Sequence, residues 1–242
     1  RLRRRLRATG LNCFDAYLNR LKTLRAADPE WDAFLQEITT HETYLFRDTS
    51  QWDWLRESFL AEIQSAARRG ERDKTLKIWS AACSTGDEAY TIASCIADRL
   101  TNYSTWKIGI LGTDIGVGAL EQAQQATFGE RAMRHVPADY KRRHFVASED
   151  ASVWTPKPHL SNWMTFQQHN LLEPMRKGPF DLIVLKNVLI YFDAKSKVPV
   201  ANHICRALKP GGYLITGPAE GVAEMLGELE RIQGWLHRKP MN

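Results

Sequence analysis

The sequence predicts an α/β protein: a mostly parallel sheet with helices on both faces and a small β insertion, preceded by an all-helical segment. Three observations predict it. Residues 1–68 repeat apolar side chains at three- and four-residue spacing, the period of a helix face. From residue 75 onward, short apolar strands alternate with helical stretches of roughly 10–15 residues, the pattern of parallel crossovers. A loop of small residues, Ser80-Ala81-Ala82-Cys83-Ser84-Thr85-Gly86, follows the first strand and opens a helix, the place where open α/β sheets bind ligands.

In order along the chain, Leu2, Leu6 and Leu11 line one stripe, which Phe14, Leu18, Leu21 and Leu24 continue. Asp28-Pro29-Glu30 has the form of a cap with proline at the first helical position, where its missing N–H is not needed. Trp31, Phe34, Leu35 and Ile38 give a further apolar face, and Trp52, Leu55, Phe59 and Ile63 mark another helix. The polar run Arg68-Arg69-Gly70-Glu71-Arg72-Asp73-Lys74 breaks the pattern, so residues 1–70 read as a helical domain and 71–242 as an α/β domain. Strands are expected at 76–80, 106–113, 163–168, 180–185, 213–216 and 235–238, and helices at 88–100, 116–126, 194–208 and 221–233. Pro210-Gly211-Gly212 is read as the stop after the helix at 194–208. Phe180–Leu185 is apolar enough for burial on both faces. Residues 129–162 are too long for a simple loop in a compact sheet and read as a small insertion with short strands of its own.

Composition narrows the function classes. The 242 residues are 43% apolar and 25% charged, with 15 Gly and 10 Pro, which excludes a coiled coil, a collagen-like chain and a mostly disordered one. No apolar run is long enough to span a bilayer. No secretory signal is visible, although a sequence that starts at Arg1 rather than Met leaves targeting there open. Cys13, Cys83, Cys95 and Cys205 are widely spaced, and the histidines form no HExxH, so the expectation is reduced thiols in a cytoplasmic protein without a metal site. The formal charge of +5 is unevenly held: residues 1–27 carry eight cations against Asp15, or +7, which leaves −2 for the rest. Such a field attracts an acidic protein, a nucleic acid or lipid headgroups; a solvated helix face is the plainer account.

The loop after the first strand is neither GxGxxG nor a GK[ST] phosphate cradle. Asp87 and Glu88 at the helix start would repel a phosphate but suit hydroxyls, an amine or a sulfonium; acids at that terminus also serve as ordinary helix-end charges. Asp114 ends the second strand, where an acid accepts hydrogen bonds from a ribose or caps a turn. Loop and acid together point to an adenosine-type cofactor without a pyrophosphate, with the insertion and Asn170-Leu171 framing its base.

With these motifs in this order, the sequence resembles the chemotaxis receptor methyltransferases. The resemblance rests on Thr39-Thr40-His41-Glu42-Thr43-Tyr44-Leu45-Phe46-Arg47-Asp48 and on the Ile78–Tyr90 loop segment, and further on Phe180–Asp193 and on Leu208-Lys209-Pro210-Gly211-Gly212-Tyr213-Leu214. It covers nearly the whole chain. It implies a helical N-terminal domain joined to a methyltransferase domain with a β insertion, and S-adenosylmethionine as cofactor, leaving as S-adenosylhomocysteine. The cofactor residues it implies are His41, Thr43, Arg47, Glu88, Asp114, Asn170, Leu171, Asn187 and Val188; family members commonly have Asn where His41 stands. The reaction implied is methylation of glutamate side chains in a chemoreceptor's cytoplasmic helical bundle.

A glutamate acceptor is already ionised near neutrality, so alignment rather than proton abstraction is what the reaction requires. Arg47 is therefore expected to orient and Tyr191 to hold the incoming carboxylate; Tyr191 otherwise simply ends a buried strand. The basic N-terminal helix is expected to dock along the receptor. Residues 144–166 contain no glycine, which points away from tethering by a receptor pentapeptide. Lys186 stands where the family usually has Arg, and Gly217-Pro218-Ala219-Glu220 replaces the usual Gly-His-Ser-Glu. These departures keep alive a cofactor-binding sensor or scaffold without transfer activity. A nucleic-acid methyltransferase on the same fold is the other alternative.

Overall fold

The computed structural model describes residues 2–25, 28–38 and 42–241. Helices α1 (Leu2–Thr9), α2 (Phe14–Thr23) and α3 (Pro29–Ile38) come first. A half-buried polar knot joins them. Arg5 Nε and Nη2 donate to the two oxygens of Glu30 at 3.0 and 2.6 Å, and the Tyr17 hydroxyl donates to Glu30 Oε1 at 2.6 Å. This knot selects the inward face of α2. Tyr17 and Leu21 are buried, whereas Phe14 and Leu18, expected on the inner stripe, are half exposed.

Helices α4 (Thr49–Trp54) and α5 (Leu60–Arg68) run on through one π-helical turn at Leu55–Phe59. Trp52, Leu55, Phe59, Leu60 and Ile63 from this stretch share one core with sheet residues Leu76, Ile78, Leu182 and Ile215. The polar run at 68–74 thus separates stretches of chain but not cores.

The sheet is built from β1 (Thr75–Ser80) and β2 (Lys107–Asp114), with the insertion strands β3 (Phe128–Gly129), β4 (Phe145–Ala147) and β5 (Val153–Pro156) following in sequence. Next come β6 (Met164–Gln168), β7 (Phe180–Leu185), β8 (Leu208–Thr216), β9 (Glu230–Gln233) and β10 (Leu236–Arg238). The main sheet runs β6-β2-β1-β7-β8-β10-β9, and β3-β5-β4 form a separate three-stranded antiparallel sheet, as expected for the insertion. Strands β6 through β8 pair in parallel; β10 and β9 add antiparallel at one edge. All six residues of β7 are buried, as its apolar run requires. Helices α6 (Asp87–Arg99) and α7 (Val117–Gln125) follow β1 and β2, and a helix at Ala194–Ala207 follows β7. This mostly parallel sheet, with its insertion and leading helices, is the fold class expected from sequence.

Two expectations fail. Residues 221–233 form no helix: a single 3-10 turn at Ala223–Met225 precedes strand β9. Val222, Leu226 and Leu229 have helical spacing, yet they are buried beside Ile183 and Val200 from an irregular segment. The strand expected to start at Tyr213 starts earlier: the preceding helix stops at Ala207, as expected, but β8 begins at once at Leu208, and Pro210-Gly211-Gly212 lies inside it. There Phe180 pairs with Leu208 and Leu182 with Tyr213, so the extra residues are taken up as a large bulge.

Helix α3 sits on α7, where the Gln36 amide fills the space a side chain at Gly118 would need. Gln168 Nε2 donates to Asp32 Oδ1 at 3.2 Å, tying α3 to the end of β6 as well. Among the described residues, no helix is long and apolar enough to cross a membrane.

Candidate functional site

Strand order reverses at β1: the chain goes first to β2 on one side and later to β7 on the other. A crevice opens beyond the carboxyl ends of strands at such a point. The loop after β1 crosses it. The Ala81 N–H donates to Val184 O of β7 at 2.9 Å, and the Cys83 N–H donates to Thr113 O of β2 at 2.8 Å. Gly86 then takes φ +89°, a left-handed value that favours glycine, and α6 starts.

The crevice is a cavity of about 340 Å³. Thr43, Arg47, Glu88, Asp114, Asn170, Leu171, Asn187, Val188 and Tyr191 all line it. His41 lies outside the described residues. The lining also includes residues that the sequence reading did not single out: Ile38, Tyr44, Ile115, His169 and Phe192. Four of these were findable by adjacency: Tyr44 beside Thr43, Ile115 beside Asp114, His169 beside Asn170 and Phe192 beside Tyr191. Ile38 reaches the cavity only through tertiary packing.

The two acids at the start of α6 part company. Asp87 is buried, accepts the Thr85 hydroxyl at 2.6 Å and does not line the cavity. Glu88 does line it and accepts the Ser80 hydroxyl at 2.7 Å. Burial pushes the Glu88 carboxyl above its ordinary range, while the positive charge of Lys186 and the Ser80 hydrogen bond oppose that rise. Asp114 is held by backbone: Ser84 N–H donates to Oδ2 and Gly116 N–H to Oδ1, each at 2.9 Å. Asp114 therefore fixes the loop as well as facing the cavity.

The segment before α4 forms another wall. Arg47 Nη1 donates to Glu42 O at 2.8 Å, and its guanidinium carbon lies 5.9 Å from the Tyr44 ring centre. The Arg134 guanidinium sits over the same ring at 4.3 Å, and Leu45 N–H donates to Ala132 O, so the insertion braces this wall. Lys186, at the end of β7, is buried. Its Nζ lies 2.9 Å from Asp48 Oδ2 and 4.8 Å from the Trp52 ring centre.

Asn170 Oδ1 accepts the Leu172 N–H at 3.0 Å in a turn that brings the Leu171 side chain inward, where it is buried. Tyr191 belongs to a 3-10 turn, Leu189–Tyr191, rather than to the end of a buried strand, and is 65% exposed at the cavity rim. The Glu220 carboxylate, from the loop after β8, accepts N–H bonds from Asn187 and, at 2.7 Å, from Leu189. Burial raises the Glu220 carboxyl; the amides of Leu189, Asn187 and Val188 oppose that.

The donor set suits a cation-bearing nucleoside. Ala81, Ala82, Leu171 and Val188 offer apolar contact for a flat base, and Glu88 and Asp114 supply acceptors for hydroxyls or an amine.

Comparison with known proteins agrees with this chemistry. Residues 41–235 match the family described as CheR methyltransferase, SAM binding domain, and residues 1–39 match CheR methyltransferase, all-alpha domain. The chain is 33% identical over 230 residues to the chemotaxis protein methyltransferase of Escherichia coli (strain K12), covering 93% of this chain and 76% of the relative. It is 31% identical over 237 residues to chemotaxis protein methyltransferase 1 of Pseudomonas aeruginosa, covering 96% and 84%. It is 30% identical over 226 residues to the chemotaxis protein methyltransferase of Borreliella burgdorferi, covering 92% and 78%.

Proposed function

The chain belongs to the CheR methyltransferase family, and from that premise we propose that it methylates glutamate side chains in the cytoplasmic domain of a chemoreceptor, giving a γ-methyl ester and S-adenosylhomocysteine. The observation that carries the proposal is the meeting in one cavity of Arg47 and Thr43, from before α4, with Glu88, Asp114 and Asn187, from the strand ends. S-adenosylmethionine, when bound, supplies an electrophilic methyl group on a sulfonium.

The residues of this chain bind and align. Glu88 and Asp114 accept from hydroxyls or the amine of the cofactor, and Leu171 and Val188 flank its base. A glutamate with a pKa near 4.3 is about 99.8% ionised at pH 7, so no residue has to remove a proton from it. Transfer annihilates a carboxylate and a sulfonium charge, and a cation clamped on the acceptor oxygen would lower its reactivity. Arg47 therefore orients, tethered through Glu42 O, and does not activate. Tyr191, exposed at the rim, offers the acceptor carboxylate one neutral hydrogen bond. His41 is assigned to the same cofactor set by the family pattern alone.

The partner in this reading is the receptor's acidic helical bundle, met by the exposed Arg3, Arg4 and Arg7 on α1, without a pentapeptide tether, and in the cytoplasm. Radiolabelled methyl transfer to a panel of receptor cytoplasmic domains tests it. The expected product is labelled protein whose label is released by mild base. Binding of S-adenosylhomocysteine with no transfer to any receptor domain would favour a sensor module instead. Base-stable label on RNA would mean a nucleic-acid substrate.

A further inference from the structure

We infer that Glu220 is a positioning residue: its buried carboxylate fixes the backbone turn that presents Asn187 and Val188 to the cavity and Tyr191 to its rim. This rests on the reading of the cavity as the cofactor site and names a determinant within it.

The chain makes an abrupt exit from β7. Asn187 takes φ +56°, a left-handed value that asparagine tolerates better than most residues, and the β-branched Val188 follows at φ −124°, ψ −42°, outside the helical and extended regions. Such a conformation persists only when its surroundings hold it. The hold comes from Glu220, which is 1% exposed. One oxygen takes the Asn187 N–H, and the other takes the Leu189 N–H at 2.7 Å. Two donors of the turn, one on each side of Val188, are thereby fixed from the neighbouring strand's end, since β8 is the neighbour of β7 and Leu185 pairs with Thr216. The 3-10 turn then closes on this anchor, with Tyr191 N–H donating to Val188 O at 3.1 Å and Phe192 N–H donating to Leu189 O at 3.0 Å.

Glu220 is itself held at both ends. Its carbonyl accepts from Lys197 Nζ at 2.7 Å. Its carboxylate occupies space left by Gly217, where a Cβ would fall 2.6 Å from Glu220 Oε1 and 3.2 Å from the Asn187 nitrogen. Glycine at 217 is what lets the carboxylate reach the turn.

The experiment is calorimetric titration with S-adenosylhomocysteine, together with ligand-free Tm, on wild type, Glu220→Gln, Glu220→Ala, Gly217→Ala and the double variant Gly217→Ala/Glu220→Ala. Glu220→Gln keeps the volume but turns an NH2 toward one of the two donors. Its affinity is expected to fall about tenfold or more, the scale of a hydrogen bond to a charge. A carboxylate that merely stabilises the fold would lower Tm and leave the affinity of the folded protein unchanged. Gly217→Ala is expected to weaken binding in wild type, by displacing the carboxylate, and to cost little more once Glu220 is alanine. Wild-type affinity in Glu220→Gln, or full additivity in the double variant, overturns the assignment. If Glu220→Ala does not fold, Glu220→Gln and Gly217→Ala decide the question between them. Failure of the wild-type protein to bind S-adenosylhomocysteine would instead sink the reading of the cavity itself.

Discussion

At the scale of single residues, Glu88 and Asp114 should be separable by what each does besides lining the cavity. Glu88→Ala removes an acceptor bonded to Ser80 and is expected to weaken cofactor binding by roughly 1.5–3 kcal/mol, read by calorimetry. Asp114→Ala should weaken binding on a similar scale and also lower Tm, because it strands the Ser84 and Gly116 amides. The raised Glu88 carboxyl gives a pH signature of opposite sign in two measurements. A carboxyl pushed up by folding binds its proton more tightly in the folded state, so its contribution to ligand-free stability becomes more favourable as pH falls through that raised value. Cofactor affinity moves the other way: it needs the ionised form and should begin to fall at a pH above the ordinary carboxylate range. Lys186→Met removes the charge that restrains this rise, so the fall in affinity should move to still higher pH. Its own stability cost should be held to about 1–2 kcal/mol, since Asp48, 35% exposed, can turn to water.

At the scale of elements, Asp181 joins the starts of three strands. Its carboxylate accepts the Lys77 N–H of β1 at 2.7 Å, Lys209 Nζ of β8 at 2.8 Å and Arg72 Nη2 at 3.1 Å. Asp181→Ala should cost about 1–3 kcal/mol, seen as a lower urea midpoint, because it removes a buried acceptor shared by the Lys77 amide and two partly exposed cations. Affinity for S-adenosylhomocysteine in the protein that remains folded should be unchanged, since Asp181 lies at the opposite end of β7 from Lys186 and Asn187. The strands themselves were legible because runs such as Phe180–Leu185 and Ile78-Trp79 have no other place to go than a sheet covered on both faces. Residues 221–233 were not legible, because Val222, Leu226 and Leu229 are spaced alike whether a helix or an irregular cover buries them. Position within the site followed the same division. Glu88 and Asp114 announce themselves by standing at strand and loop ends, whereas Thr43 and Arg47 have no local signature and emerged only through the family pattern. Glu220 stands in an altered motif of the sequence, but its bonds to Asn187 and Leu189 span more than 30 residues and leave no periodic trace.

At the scale of the whole molecule, the positive charge of residues 1–27 divides into a structural and an exposed share. Arg5 is committed to Glu30 and Tyr17, so Arg5→Ser should lower Tm. Arg4 reaches Glu37 only at 3.8 Å and its side chain is 80% exposed, and Arg3 and Arg7 are exposed as well. Replacing Arg3, Arg4 and Arg7 with Ser should leave Tm nearly unchanged and slow receptor methylation most at low ionic strength, because such attraction is screened beyond about 8 Å in physiological salt. A rate that ignores both the substitutions and the salt would dissociate α1 from receptor docking.

The seating of Gln36 over Gly118 has a consequence for ligand exchange. The helix anchored there ends at Ile38, whose side chain is part of the chamber, while the facing surface belongs to the sheet. A molecule that touches both halves resists their parting by the free energy with which it prefers the closed arrangement. Loading should therefore make the leading helices harder to peel away, and a tug on those helices should loosen whatever is stored beneath them.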